Sequence, residues 1–381
     1  MHSTLFVTND FGPRAGGIET FIIGLIERLP HASVVVYTSS QSDTESYDAQ
    51  WFADFGVRVV RDRQKILLPT PRVARAVGAL ARDLQIEVAC FGAAAPLGLL
   101  APTLRRAGVK RIVALTHGHE VWWAKLFPFS WAIHRVGESV DVVTYLGEFT
   151  RKAISKALTP EATKSMVRIA PGIDIEHFSP NGDAMKLRAE LGLTSKRVIV
   201  SVGRLVHRKG QDRLIQAMPQ ILRSIPNAHL LLVGQGPYRE KLENFAREAG
   251  VSQNVTFIGR IAYQQLPEYF RVGDIFAMPS RSRFRGLEVE GLGIVYLEAS
   301  ACGLPVIAGN SGGAPDAVLE GETGLVVDGT DVDAIAHAAI DLLGDPQKSE
   351  SMGLAGRNWI TKSWSWELWS QEFRKTLSIK G

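Results

Sequence analysis

Seven residues separate Glu290 from Glu298, and the first runs directly into Gly291-Leu292-Gly293-Ile294. A carboxylate in the loop after a strand, followed by glycines that open a helix, suits the gripping of a ligand. The glycines let the backbone come close, and the first N–H groups of a helix have no carbonyl partner and can hold an anion. Glu298 lies about two turns further along that helix. The segment can therefore grip a sugar, a diphosphate and a ribose in turn, although a surface helix with two solvated glutamates has the same pattern. A second charged pair, Arg204 and Lys209, brackets the turn in Val202-Gly203-Arg204-Leu205-Val206-His207-Arg208-Lys209-Gly210. In open α/β sheets ligands bind beyond the carboxyl ends of the strands. Arg forks onto phosphate oxygens and Lys acts as a compact charge, so the pair suits a nucleoside diphosphate leaving group. Cations at a surface turn are ordinarily only solvated; a glutamate–glycine helix start in the same domain argues against that here.

Two other motifs are set aside. Gly234-Gln235-Gly236 lacks the third glycine of a dinucleotide fingerprint, since Arg239 holds its place. Asp331-Val332-Asp333 pairs carboxylates at a helix start, where Asp serves as a cap. The cationic pair already compensates phosphate charge, so neither an essential metal nor a cofactor is expected.

The elements that must position these groups alternate short β-branched runs with longer amphipathic stretches, the signature of βαβ units. In the first half strands are predicted at Leu5–Thr8, Ser33–Tyr37, Val88–Phe91, Arg111–Leu115, Val140–Tyr145 and Val167–Ala170, with a helix over Ile18–Leu29. The rhythm restarts with strands at Val198–Val202, His229–Val233, Val255–Ile258, Ile275–Met278, Pro305–Ile307 and Gly324–Val327. Helices are predicted between them at Asp212–Leu222 and Asp333–Leu343. Two doubly wound α/β domains follow, 1–170 and 171–369, joined near Pro171–Pro180. The segment Ser349–Leu377 reads as one or two helices, and its Trp359, Trp364, Trp366, Trp369 and Phe373 must dock on something. It is expected to run along the second domain and end, over 370–381, against the first.

The chain has 381 residues, 45% hydrophobic and 22% charged, enough to bury large cores without disulfides. With 43 Lys+Arg against 39 Asp+Glu the balance calls for no nucleic-acid partner. Cys90 and Cys302 stand apart from each other and from any His cluster, which fits a reducing cytosol. The start of the chain turns polar too early for a signal-peptide core, and the apolar run Val88–Pro102 is shorter than the ~18–20 residues of a membrane span. A cytoplasmic protein is expected, peripheral on the inner face of the cell membrane. For membrane contact the candidates are Arg61, Arg63 and Lys65, interleaved with Ile66, Leu67 and Leu68, and the crowded aromatics Trp122, Trp123, Phe127, Phe129 and Trp131. Cations beside apolar anchors attract anionic lipid.

With these motifs in this order the chain resembles glycosyltransferase family 4. Gly12-Pro13-Arg14-Ala15-Gly16-Gly17-Ile18-Glu19, Pro171-Gly172-Ile173-Asp174, the Arg204–Lys209 turn, Leu232-Val233-Gly234-Gln235-Gly236-Pro237 and the Glu290–Glu298 segment carry the resemblance over nearly the whole length. It implies the GT-B fold: two Rossmann-like domains facing across a cleft, acceptor first and donor second, with a C-terminal helix returning to the first. It implies that Arg204 and Lys209 neutralise the diphosphate, Glu290 holds the sugar hydroxyls and Glu298 the ribose, beside Gly291, Leu292, Gly293 and Ile294. Gly16 and Gly17 would bring backbone amides to the diphosphate. In Leu115-Thr116-His117-Gly118-His119-Glu120 the match favours His117 for the transferred sugar, with His119 as the fallback.

Within the family the chain looks most like the bacterial phosphatidyl-myo-inositol mannoside mannosyltransferases of the PimB type. That resemblance implies a nucleotide-sugar donor, GDP-mannose, a phosphatidylinositol mannoside glycolipid as acceptor, an anionic membrane surface as partner, and transfer with retention. The alternatives are a family 4 transferase using a UDP-sugar and another acceptor, a non-catalytic nucleotide-sugar binding protein, and a non-transferring epimerase. One departure stands out. Arg281-Ser282-Arg283-Phe284-Arg285-Gly286-Leu287-Glu288-Val289 makes the approach to Glu290 longer and more basic than usual, and leaves Glu288 as a possible substitute for Glu290.

Overall fold

The computed structural model describes residues 4–14 and 16–379. Its first sheet contains β1 (Thr4–Thr8), β2 (Val34–Thr38), β3 (Arg58–Arg61), β4 (Val88–Phe91), β5 (Arg111–Ala114), β6 (Val142–Tyr145) and β7 (Val167–Arg168), in the order β3-β2-β1-β4-β5-β6-β7. The second contains β8 (Arg197–Val202), β9 (Ala228–Val233), β10 (Val255–Gly259), β11 (Ile275–Met278), β12 (Val306–Gly309) and β13 (Gly324–Val327), in the order β10-β9-β8-β11-β12-β13. All pairings are parallel. A parallel sheet covered on both faces needs continuous apolar strands, and β1, β2, β4, β9 and β11 are buried throughout.

Strand β3 escapes the sequence pattern. Its Arg58-Val59-Val60-Arg61 sits at the sheet edge and is exposed or half-buried at every position, so no buried run marks it. Elsewhere the predicted helices form with shifted ends: Gly17–Glu27, Gln211–Ser224 and Val332–Gly344. The last begins one residue before the predicted Asp333, with Asp331 accepting the Ala334 N–H at 3.0 Å as the expected Asp cap.

The chain divides into two compact units, the first ending at Gly172 and resuming at Trp366, the second spanning Ile173–Ser365. The return to the first unit begins at Trp366 rather than 370, because Trp366 fills space that only Gly24 and Gly172 leave open. Along the same helix, Trp366–Leu377, Phe373 is fully buried with its ring 6.1 Å from that of Phe6. The preceding helix, Pro346–Ser363, belongs to the second unit, where Arg357 Nη1 donates to the carbonyls of Phe178 and Ala301 at 2.7 and 3.0 Å. In each unit the strand order reverses once, between β1 and β4 and between β8 and β11. The loops that leave the carboxyl ends of those strands diverge there and open a binding crevice.

Candidate active site

In the second unit the switch-point loops carry the predicted charges. After β8, Gly203 and Arg204 lead to a single tight turn, His207–Lys209, and then to helix Gln211–Ser224. Gly210 joins them with φ +76°, and any side chain there would collide with the Pro279 carbonyl at the end of β11. The two loops are thus locked backbone against backbone. That lock delivers Lys209 Nζ to Glu290 Oε2 at 2.8 Å, with both side chains about nine-tenths buried. Arg208 Nη1 reaches the same oxygen at 2.6 Å. Both cations meet Glu290 on Oε2, and no hydrogen bond to its Oε1 is present among the described residues.

The backbone of Glu290 is fixed from the other side, where Gly313 N–H donates to its carbonyl at 2.8 Å. Helix Ile294–Ala301 then starts from Gly293, whose φ of +81° puts it in the left-handed region. Tyr296, in its first turn, ties the helix to the end of β11 by donating to the Met278 carbonyl at 2.8 Å. Leu292 is buried, and Gly291 and Ile294 are half-buried. Burial pushes the Glu290 carboxyl up, but the Lys209 and Arg208 charges outweigh it and hold the group below its ordinary range. Burial lowers the Lys209 pKa, with Glu290 opposing. Glu298 differs: it is 6% exposed, forms no ion pair among the described residues, and burial pushes its pKa up to about 7 against the pull of Lys209.

Arg204 is exposed and unpaired among the described residues, so the expected cationic pair is split into a buried, neutralised Lys209 and an open Arg204. Arg208 fills the third cationic position, and sequence reasoning passed over it. Its signal was adjacency to Lys209 in a turn too short to point the two far apart. Glu288 does not stand in for Glu290: it closes a hairpin with Arg283, Nη1 to Oε2 at 3.0 Å, and is far more exposed.

In the first unit the corresponding loops are almost free of available charge. His117 follows β5; its N–H donates to Glu120 Oε2 at 2.9 Å, and its Nε2 bonds the Gly92 carbonyl just past β4. A carbonyl only accepts, so Nε2 carries the proton and Nδ1 remains an acceptor. Burial lowers the His117 pKa and keeps the ring neutral. His119 stacks on it at 6.2 Å, its Nε2 3.3 Å from Glu120 Oε1. Gly16 caps helix Gly17–Glu27, and Glu19 in its first turn pairs with Arg14 at 2.7 Å.

The lipid-contact candidates separate by structure. Arg61 is bound to Asp48 through two 2.7 Å hydrogen bonds and to the Gly12 carbonyl, which makes it a brace of the β2–β3 edge. Arg63 and Lys65 are exposed beside exposed Ile66 and Leu68, while Leu67 is buried and clamped to Asn9 by paired hydrogen bonds. Trp122 and Trp123 are half-buried against Phe129, each with ring centroids 4.8 Å from it. The apolar tip beside them is Leu126, Phe127 and Trp131, with Phe127 85% exposed. Among the described residues no helix is long and apolar enough to cross a membrane. A cavity at the opposite end of the first sheet, lined by Thr4, Val88 and Leu377, holds none of these groups.

Two family models match the chain: "Glycosyltransferase Family 4" over residues 15–177 and "Glycosyl transferases group 1" over 183–359. A GDP-mannose-dependent alpha-(1-6)-phosphatidylinositol monomannoside mannosyltransferase of Mycolicibacterium smegmatis is 46% identical over 376 residues, 98% of each chain. A GDP-mannose-dependent monoacylated alpha-(1-6)-phosphatidylinositol monomannoside mannosyltransferase of Corynebacterium glutamicum is 43% identical over 98% of this chain and 97% of that one. Among solved structures, Anabaena Alr3699/HepE in complex with UDP superposes with a TM-score of 0.83 at 20% identity, covering 98% of this chain and 99% of that one.

Proposed function

The chain is a glycosyltransferase of family 4 with the GT-B fold, and from that premise we propose that it moves mannose from GDP-mannose to a phosphatidylinositol mannoside. The observation that carries the donor half is the Lys209–Glu290–Arg208 cluster at the switch point of the second unit, in front of the N-terminus of helix Ile294–Ala301. Donor base, sugar and acceptor class are carried over from the names of the near-full-length relatives.

Lys209, open Arg204 and the helix N-terminus receive the diphosphate, where negative charge grows as the sugar leaves. Glu290 Oε1 accepts from sugar hydroxyls while Oε2 stays on the cations, and Glu298, once ionised, accepts from the ribose. Gly16 and Gly17 supply backbone amides in the first unit, and neutral His117 offers Nδ1 to a hydroxyl of the transferred sugar. The reaction retains the α configuration. Double-displacement retention needs two carboxyl groups about 5 Å apart around the anomeric carbon, and no motif of the first unit supplies the nucleophile. The bond from the anomeric carbon to the phosphate therefore breaks as the acceptor oxygen bonds on the same face. The acceptor's proton passes to the departing phosphate oxygen, and GDP leaves without help from a metal.

A lipid acceptor calls for contact with a membrane. The cations and exposed apolar side chains of the loops at 63–68 and 126–131 support the reading of a peripheral enzyme on the inner face of the cell membrane. The test is a panel of GDP- and UDP-sugars in EDTA, with and without phosphatidylinositol monomannoside. Lipid-dependent consumption of GDP-mannose supports the proposal in full, and turnover of a UDP-sugar instead overturns the named donor.

A further inference from the structure

Glu290 holds two cations on one oxygen, although one diphosphate contact needs only Lys209. The second cation, Arg208, has other attachments. Its Nε lies 3.8 Å from Glu288 Oε1, and its carbonyl accepts the Arg281 N–H at 2.8 Å. Arg281 is itself buried and fixed to Asp212 at 2.7 Å. Glu288 and Arg283 close a hairpin through backbone hydrogen bonds of 2.8 and 3.3 Å and the ion pair of their side chains. At its tip Phe284 and Arg285 adopt φ of +49° and +54°, left-handed values that cost non-glycine residues energy. Both tip residues are exposed. Arg208 therefore reaches both Glu290 and the base of this hairpin, and Ser311 also spans them, its Oγ accepting the Glu290 N–H at 3.4 Å and lying 3.3 Å from Ser282 Oγ.

We infer that Arg208 is a positioning residue: it holds Glu290 for the donor sugar and ties the 281–288 hairpin to the donor site, an inference that rests on the transferase proposal above. The electrostatics explain why two cations are needed. An arriving diphosphate competes with Glu290 for Lys209, and without Arg208 the carboxylate would be left buried, unpaired and repelled by phosphate. With Arg208 in place its charge stays compensated, and Oε1 stays presented to the sugar. Arg208 acts on the sugar end of the donor, so nucleotide affinity should depend on it little.

The test compares wild type with Arg208→Met, Arg208→Lys, Glu290→Gln and the Arg208→Met/Glu290→Gln double variant. The readouts are GDP binding, mannosyl transfer and tryptic nicking after Arg285. Arg208→Met should leave GDP affinity within about threefold and lower kcat about ten- to a hundredfold, the range of one charge-assisted hydrogen bond. The double variant should be no slower than Glu290→Gln alone. In the nucleotide-free protein Arg208→Met should speed nicking several-fold, with Arg208→Lys restoring part of the protection. Independent, multiplying losses of kcat would overturn the inference. So would a large loss of GDP affinity at unchanged kcat, or an unchanged nicking rate. If wild type transfers no mannose while nicking still responds to Arg208, the donor and acceptor assignment falls and the tether to the hairpin stands.

Discussion

The two units place loops of the same topological kind at their switch points and fill them with different chemistry. In the second, Lys209, Arg208 and Glu290 are packed into a nearly buried ionic cluster, and Arg281 and Asp212 form another buried pair beside it. In the first, the central group is the neutral imidazole of His117, its ring held by the Gly92 carbonyl while its backbone N–H donates to fully buried Glu120. Isolated buried charge is costly and is kept only when paired. In the second unit Glu290 compensates Lys209 and Arg208, and on the proposed function it does so until the donor diphosphate arrives. The first ties Arg61 to Asp48 and Arg14 to Glu19, and offers directional hydrogen-bonding groups at its switch point instead. On the proposed function, charge compensation belongs to the unit that binds the leaving group, and orientation to the other.

Lys209→Ala should break this contrast most severely. Removing one preorganised charge from a developing oxyanion site costs on the order of a hundred- to a thousandfold in kcat. Steady-state transfer beside an unchanged circular dichroism spectrum would check it. His117→Ala removes one hydrogen-bonding group from the neutral site and should lower kcat about two- to tenfold.

Glu298 sharpens the contrast through pH. Its pKa of about 7 lies above its ordinary 4.5. Its contribution to stability is therefore full below that ordinary value and lost as pH rises through about 7, when the buried charge appears. Ribose binding has the opposite sign, because the carboxylate is the better acceptor. GDP affinity should rise about tenfold between pH ~6 and ~8, and Glu298→Gln should flatten the profile. Titration calorimetry across that range reads both. Smallest is the effect at the exposed basic loop: Lys65→Ala should lower partitioning onto anionic vesicles about fivefold, since each cation near the surface contributes about 1 kcal/mol. Co-sedimentation of wild type and variant measures the difference.

Much of this was legible in the sequence for physical reasons. Buried parallel strands write themselves as apolar runs, and a glycine-opened helix after a glutamate marks a ligand loop, so both sheets and the Glu290 segment could be seen in advance. Edge strand β3 could not, because arginines flank its two valines. Arg208 was hidden for another reason. Nothing in residue type separates a cation that braces a carboxylate from one that is solvated, and only the folded turn brings Nη1 onto Glu290. The same holds for Arg61, whose bond to Asp48 joins positions thirteen residues apart. Charged residues announce possible partners, while the fold decides which are taken.

The division of labour between the units is tested most directly by titrating GDP into wild type, Lys209→Ala and His117→Ala. Lys209→Ala should weaken GDP binding about a hundredfold, the order of a well-placed charge pair, while His117→Ala should stay within about twofold of wild type. Equal weakening by the two substitutions, or tight GDP binding without Lys209, would contradict the account.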